Sequence, residues 1–221
     1  MEELTPKRKR LTRQEKKEQT RQRLIEAAME LFAVKGYEGT GVEELAEHAG
    51  YSRGAFYSNF ANKEELMKAI INQGFDSDLE GIRHLEPLEG VDALAVGYRE
   101  LARAFYEDPM NILWMLEFQL SAVRHPELRE AYAGQHRKMR EGIRHLLTTH
   151  LKREGYKDPE AYGEYADLFL VIVPGLGLLK LIYGDEISPE AFERAFRAII
   201  RGIEKPEERR SEERRVGKEC F

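Results

Sequence analysis

Arg53 and Tyr57 lie four residues apart in TGVEELAEHAGYSRGAFYSNF, residues 40–60, and side chains at that spacing share one face of a helix. Phe56 and Phe60 share another face, which water drives inward. Gly54 and Ala55 are tiny, so the surface beside Arg53 lets a partner come close. A short helix that buries two aromatics and turns Arg, Gly, Ala and Tyr outward suits a major groove, which is about 12 Å wide. There a guanidinium pairs with a guanine edge, and the hydroxyls of Thr40, Ser52 and Tyr57 offer donors to phosphate oxygens.

Lys63 opens the helix predicted next, where the macrodipole favours anions. A cation there suits an external phosphate bound at the helix N-terminus; the alternative is plain solvation beside Glu64 and Glu65. Catalytic spacing is missing. The histidines are His48, His84, His125, His136, His145 and His150, with no i, i+4 pair and no HExxH string. Glu141 and His145 are four apart and read as a surface pair rather than half a metal site. No nucleophile elbow, phosphate loop or dinucleotide fingerprint occurs, so the expectation is no enzyme, no metal and no cofactor.

These side chains need short helices to hold them, and apolar residues recur at helical spacing almost throughout. Leu24, Ile25, Ala28, Leu31 and Phe32 form one face of a first helix ending at Lys35-Gly36. Val42, Leu45, Ala46 and Ala49 mark a second helix, stopped by Gly50. Ser52 caps a third through Phe60, and Asn62 with Glu65 starts a fourth that reaches about Ile82. Two short helices joined by a tight turn with glycine make a helix-turn-helix. Longer helices follow over 91–106, 112–123, 127–153 and 159–183, and Ser188 caps a last one. Strand alternation and repeats of 20–50 residues are missing. The fold expected is all-α. It has a basic disordered arm (1–20), a three-helix DNA-binding module (21–66), a larger helical body (67–204) and a disordered tail (205–221).

The 221 residues suffice for two small domains or one large one, and 42% apolar content supports a real core. The net charge of −5 hides an asymmetry. Residues 1–23 hold nine Lys or Arg against four Glu, whereas residues 63–221 hold 24 cations against 30 acids. A basic arm before an acidic body either tracks phosphates or is a solvated tail. The single cysteine, Cys220, excludes an intrachain disulfide and fits a reducing, cytoplasmic setting. No secretory signal or membrane span is expected. The end, EKPEERRSEERRVGKECF, loses all apolar period, and whether it is native to the fold stays open.

In the body, LFLVIVPGLGLL is uncharged from Leu168 to Leu179 and apolar all round, so it needs cover on several sides. Pro174 should kink it, and Gly175 and Gly177 permit close approach. Phe192, Phe196, Ile199 and Ile200 stripe the last helix. Together with Leu170, Val173, Leu176 and Gly177, these either form half of a dimer interface or complete one chain's core. One module reads only half a palindrome, which favours the dimer. Phe105, Trp114, Met115, Phe118 and Gln119 combine apolar walls with a polar group, either as a ligand pocket or as plain core.

Residues 24–70 resemble the N-terminal domain of the TetR family of transcriptional regulators. The resemblance is carried by the Ala-rich first helix with its Leu-Phe ending, Gly36-Tyr37, Thr40, Val42, Leu45-Ala46, Ala49-Gly50, Ser52, Gly54, Tyr57, Phe60, Lys63 and Leu66. It implies that Ser52, Arg53, Gly54, Ala55, Tyr57, Ser58 and Asn59 belong to a recognition helix, with Thr40, Tyr57 and Lys63 at phosphates. It also implies a dimer built by the last two helices and an effector held in the body. Gly41 stands where Thr or Ser is frequent, and Ser58-Asn59 where a His is common. The expected function is a sequence-specific regulator, chiefly a repressor. Its partners would be palindromic duplex DNA, a small and largely apolar effector, and a second copy of itself, with no membrane. A ligand-independent DNA-binding protein of the same fold, or a helical enzyme or carrier, are the alternatives.

Overall fold

Helices follow one another from Thr12 onward because capping groups and glycines punctuate a chain whose apolar residues keep helical period. The computed structural model describes residues 12–156, 159–188 and 190–202, and every regular element among them is helical. The α-helices are α1 (Arg13–Gly39), α2 (Val42–His48), α3 (Arg53–Tyr57), α4 (Lys63–Arg83), α5 (Gly90–Tyr106), α6 (Pro109–Arg124), α7 (Pro126–Arg153), α8 (Ala166–Tyr183) and α9 (Glu190–Gly202). Two units result, Met1–Ile70 and Ile71–Phe221, and their boundary falls inside α4 rather than after residue 66.

In the first unit, Thr12 and Glu15 close a capping box: Thr12 N–H donates to Glu15 Oε2 at 2.6 Å and Glu15 N–H to Thr12 Oγ1 at 3.2 Å. Residues 13–20, expected in the arm, are therefore helical; the rest of that arm, residues 1–11, lies outside the described residues. Gly36 breaks α1 at φ 77°, a conformation that costs a residue without Cβ little. Gly50, also at φ 77°, makes the turn between α2 and α3. Ser52 caps α3 by accepting from Ala55 N–H at 3.2 Å. Asn62 Oδ1 accepts from Glu65 N–H at 2.8 Å, and Glu65 reaches back to Ala61 N–H rather than to Asn62. Leu24, Phe32, Tyr37, Leu45, Phe56, Phe60 and Leu66 are buried as the core. Complete burial of a Phe-sized side chain contributes roughly 1.5–3 kcal/mol, so Phe56 and Phe60 anchor α3 by its inner face.

The second unit packs α5 against α9, and α6, α7 and α8 against one another. Tyr98, Phe169 and Phe196 meet ring to ring, with centroids 5.0–5.7 Å apart. His150 is a buried core histidine: Nδ1 lies 2.8 Å from Leu146 O and Nε2 2.8 Å from Leu88 O. His145 stands beside Glu86 at 3.6 Å. The helix expected over 159–183 divides into a 3-10 turn (Pro159–Tyr165) and α8, which stays helical through Pro174. By length and composition alone the segment Gly163–Glu186 passes as a membrane span, at mean hydropathy 1.9, contrary to the sequence expectation. In the fold its Ala166 and Phe169 belong to the core of the second unit. The tail expected over 205–221 lies outside the described residues.

Candidate nucleic-acid interface and internal cavity

Because α3 is clamped from inside by Phe56, its opposite side is free. Ser52, Arg53, Gly54, Tyr57 and Ser58 are exposed, and Ala55 and Asn59 are half-buried. Tyr57 is 47% exposed, a large ring left in water. The Arg53 guanidinium lies 5.6 Å from the Tyr57 ring centroid, and its Nη1 donates to Glu43 Oε1 of α2 at 2.5 Å. Both partners of this ion pair are well exposed, so it is weak enough to exchange for a DNA contact. A Cβ added at Gly54 would meet nothing closer than Ser52 Oγ at 3.8 Å. The protein's own packing thus does not require glycine there.

Other expected contacts are placed differently. Ser58 Oγ and Asn59 Nδ2 both donate to Ala55 O at 2.8 Å, so they finish α3 instead of pointing donors outward. Thr40 is 1% exposed, and its hydroxyl donates to Gly36 O at 2.9 Å, which makes it a brace of the α1 break rather than a phosphate donor. Lys63 Nζ donates to Tyr37 O at 2.7 Å and Thr40 O at 3.1 Å and lies 4.2 Å from the Tyr37 ring centroid. Its charge breaks the dipole rule at the start of α4 but obeys it at the carbonyl end of α1. Neither an open phosphate clamp nor plain solvation describes it. Arg21 was missed. Its guanidinium lies 4.2 Å from the Phe60 ring centroid and donates to Asn59 O at 3.2 Å, tying α1 to the end of α3.

A cavity of about 170 Å³ opens in the second unit, walled by α4 to α9. Trp114, Met115, Phe118 and Gln119 stand on its wall; the side chain of Phe105 lies outside the described residues. Trp114 and Phe118 meet at 4.8 Å, and the indole packs over Gly74 of α4, where a Cβ would lie in ordinary contact with it at 3.4 Å. Sequence reasoning missed Asp78, Tyr98, Tyr132 and His136, which add polar groups to the lining beside Gln119. A signal existed: Asp78 interrupts the apolar stripe Ile71, Phe75, Ile82 of α4. Burial pushes the Asp78 carboxyl up to about 6. Burial also raises the Tyr132 phenol, against a hydrogen bond with Gln119, and lowers His136, against the Asp167 carboxylate.

The expected interface residues divide. Phe192, Phe196 and Ile200 are buried in the second unit's own core, with Leu176 and Ile199 packed on it. Leu170 and Val173 line the cavity, and Gly177 is buried. Phe192, Phe196, Ile200 and Gly177 are covered by the chain itself, whereas Leu170, Val173, Leu176 and Ile199 are only half-buried. What α8 leaves outside is Leu168, Val171, Leu178, Leu179, Ile182 and Tyr183, at 46%, 69%, 41%, 39%, 62% and 53% exposure, with Gly175 among them.

A helix-turn-helix that presents arginine and tyrosine outward, in a chain whose helical body encloses a cavity, is the build of a DNA-binding transcriptional regulator. Residues 24–70 match the model of bacterial regulatory proteins of the tetR family, and residues 99–204 that of the C-terminal domain of BetI-type transcriptional repressors. The chain belongs to the TetR family and is a regulator, not an enzyme. It is 28% identical to the HTH-type transcriptional regulator YvkB of Bacillus subtilis (strain 168), over 83% of this chain and 97% of that protein. A transcriptional regulator from Rhodococcus sp. superposes with a TM-score of 0.67 at 25% identity, over 83% and 95% of the two chains. A regulator from Saccharomonospora viridis in complex with choline gives 0.66 at 18% identity, over 83% and 96%.

Proposed function

We propose that the chain works in the cytoplasm as a homodimeric repressor of a palindromic operator, and that a small, largely apolar molecule filling the cavity releases it. The observation that carries this reading is α4. Its first turn is pinned by Lys63 to carbonyls of the first unit, and its later turns supply Ile71, Gly74, Phe75, Asp78 and Ile82 to the cavity wall. A guest that moves those turns acts on the helix that follows the DNA-reading α3. The choline complex of a similarly folded regulator supports a small-molecule guest.

The outward row of α8 supports the dimer. Leu168, Val171, Gly175, Leu178 and Ile182 alternate spacings of three and four, the period of a helix face that packs on another helix. A second copy of this row would cover it, with Gly175 permitting close approach. Two α3 helices would then enter successive major grooves about 34 Å apart.

Selection of bound fragments from a random duplex pool tests the reading. The expected product is an inverted repeat with half-sites about one helical turn apart. Unrelated fragments, or a single unrepeated half-site, would contradict it.

A further inference from the structure

The carboxyl of Asp78 is out of place by the ordinary rules of burial. It sits on the inner stripe of α4, half-buried on the cavity wall, and pairs with no described cation. Buried carboxylates are costly unless a positive charge or hydrogen-bond donors answer them. The neighbours of the cavity supply neither in full. From α7 come Tyr132 and His136, stacked at 5.8 Å; Tyr132 is engaged with Gln119 of α6 and feels the Asp78 charge. The charged groups near His136 are Asp167 and Arg140, which pair with each other at 2.6 Å. Aromatic faces make up much of the rest: Trp114 and Phe118, and Phe75 edge-on to Tyr132 at 5.4 Å. A second polar atom also lacks a partner. The hydroxyl of Tyr98, itself 8% exposed, lies on the cavity wall with no hydrogen bond.

A carboxylate without a counter-ion among aromatic rings is complementary to one kind of guest. The charge is answered by a cation, and ring faces attract the same cation through their quadrupoles. Apolar walls on every other side call for an apolar body. We propose that the cavity takes a lipophilic organic cation, its positive group set against Asp78 and its apolar body against the Trp114 and Phe118 walls. This rests on the reading of the cavity as the effector site. A bare quaternary ammonium ion satisfies only the Asp78 end.

The test uses three probes on the full chain: (4-phenylbutyl)trimethylammonium, its uncharged isostere with carbon in place of the quaternary nitrogen, and tetramethylammonium. Binding is read from the fluorescence of Trp114, the single tryptophan, and operator release is read by gel shift with the selected duplex. Wild type should bind the phenylbutyl cation at least tenfold more tightly than either other probe. In Asp78→Asn, folded by its melting curve, the preference over the isostere should fall to about one, with affinity for the isostere kept. Equal binding of cation and isostere by wild type, or a preference that survives in Asp78→Asn, overturns the inference. So does tetramethylammonium binding as tightly as the phenylbutyl cation. Failure of all three to bind overturns it together with the effector reading. The expected preference without operator release supports the inference and sinks the effector reading alone.

Discussion

Lys63 spends its ammonium on two carbonyls of the α1 end, so its first task is structural. Lys63→Met should lower the stability of the first unit by about 1–2 kcal/mol in a urea melt, the cost of leaving partly buried acceptors without a donor. An unchanged melt, with the salt slope of DNA binding reduced by about one contact, would restore the phosphate clamp instead. Arg53 has the opposite character, since its only described ion-pair partner is the exposed Glu43. Arg53→Ala should remove about 1–3 kcal/mol of discrimination at one base pair and leave affinity for random duplex nearly unchanged. Asp78 carries a pH signature. Its folded pKa of about 6 exceeds the ordinary 3.8, so the native state holds its proton longer than the unfolded chain does. Stability from this group is therefore fully present below about pH 4 and is lost as pH rises through 6. Asp78→Asn should be more stable than wild type at pH 7 by on the order of 2 kcal/mol, with the gap closing by pH 4. A gap that stays constant with pH would show that the carboxyl is not desolvated.

The elements themselves were mostly legible, because caps are local chemistry. Ser52 and Asn62 announce the starts of α3 and α4 in the sequence, and Gly36 the break in α1, and the structure uses all three. Thr12 with Glu15 carries the same capping signal, which places the start of α1 well inside the stretch expected to be arm. What a helix packs against is not local. The stripe of α9 shows that Phe192, Phe196 and Ile200 must be covered, yet nothing in its period tells whether the cover is α5 of the same chain or a second copy. On α8, apolar on all sides, period cannot separate the cavity-facing Leu170 and Val173 from the outward Val171 and Ile182. Likewise Lys63 and Thr40 have residue types that suit phosphate, and only tertiary contacts assign them inward. If the outward row of α8 is the dimer seam, Val171→Glu should give monomer in light scattering and weaken operator binding, with helix content unchanged. A dimer that persists would place the seam elsewhere.

On the scale of the whole molecule the chain combines two units, one that carries the helix-turn-helix and one that encloses a cavity, with α4 contributing residues to both. Release of DNA by a cavity guest requires that guest to bind the DNA-free arrangement better than the DNA-competent one. A coupling of roughly 1–3 kcal/mol would change operator affinity about 5–150-fold, and operator would weaken guest binding by the same factor. Operator duplex added at saturation should therefore raise the guest's Kd by the factor that the guest raises the operator's; unequal factors would exclude a single coupled equilibrium. All of this presumes that the exposed face of α3 reads base edges. The most direct measurement is protection of guanine N7 from methylation on the selected duplex, for wild type and Arg53→Ala. Major-groove protection in both half-sites, with one guanine in each losing it in Arg53→Ala, is the predicted result. An identical pattern for the two proteins, or no protected guanine at all, would contradict the account.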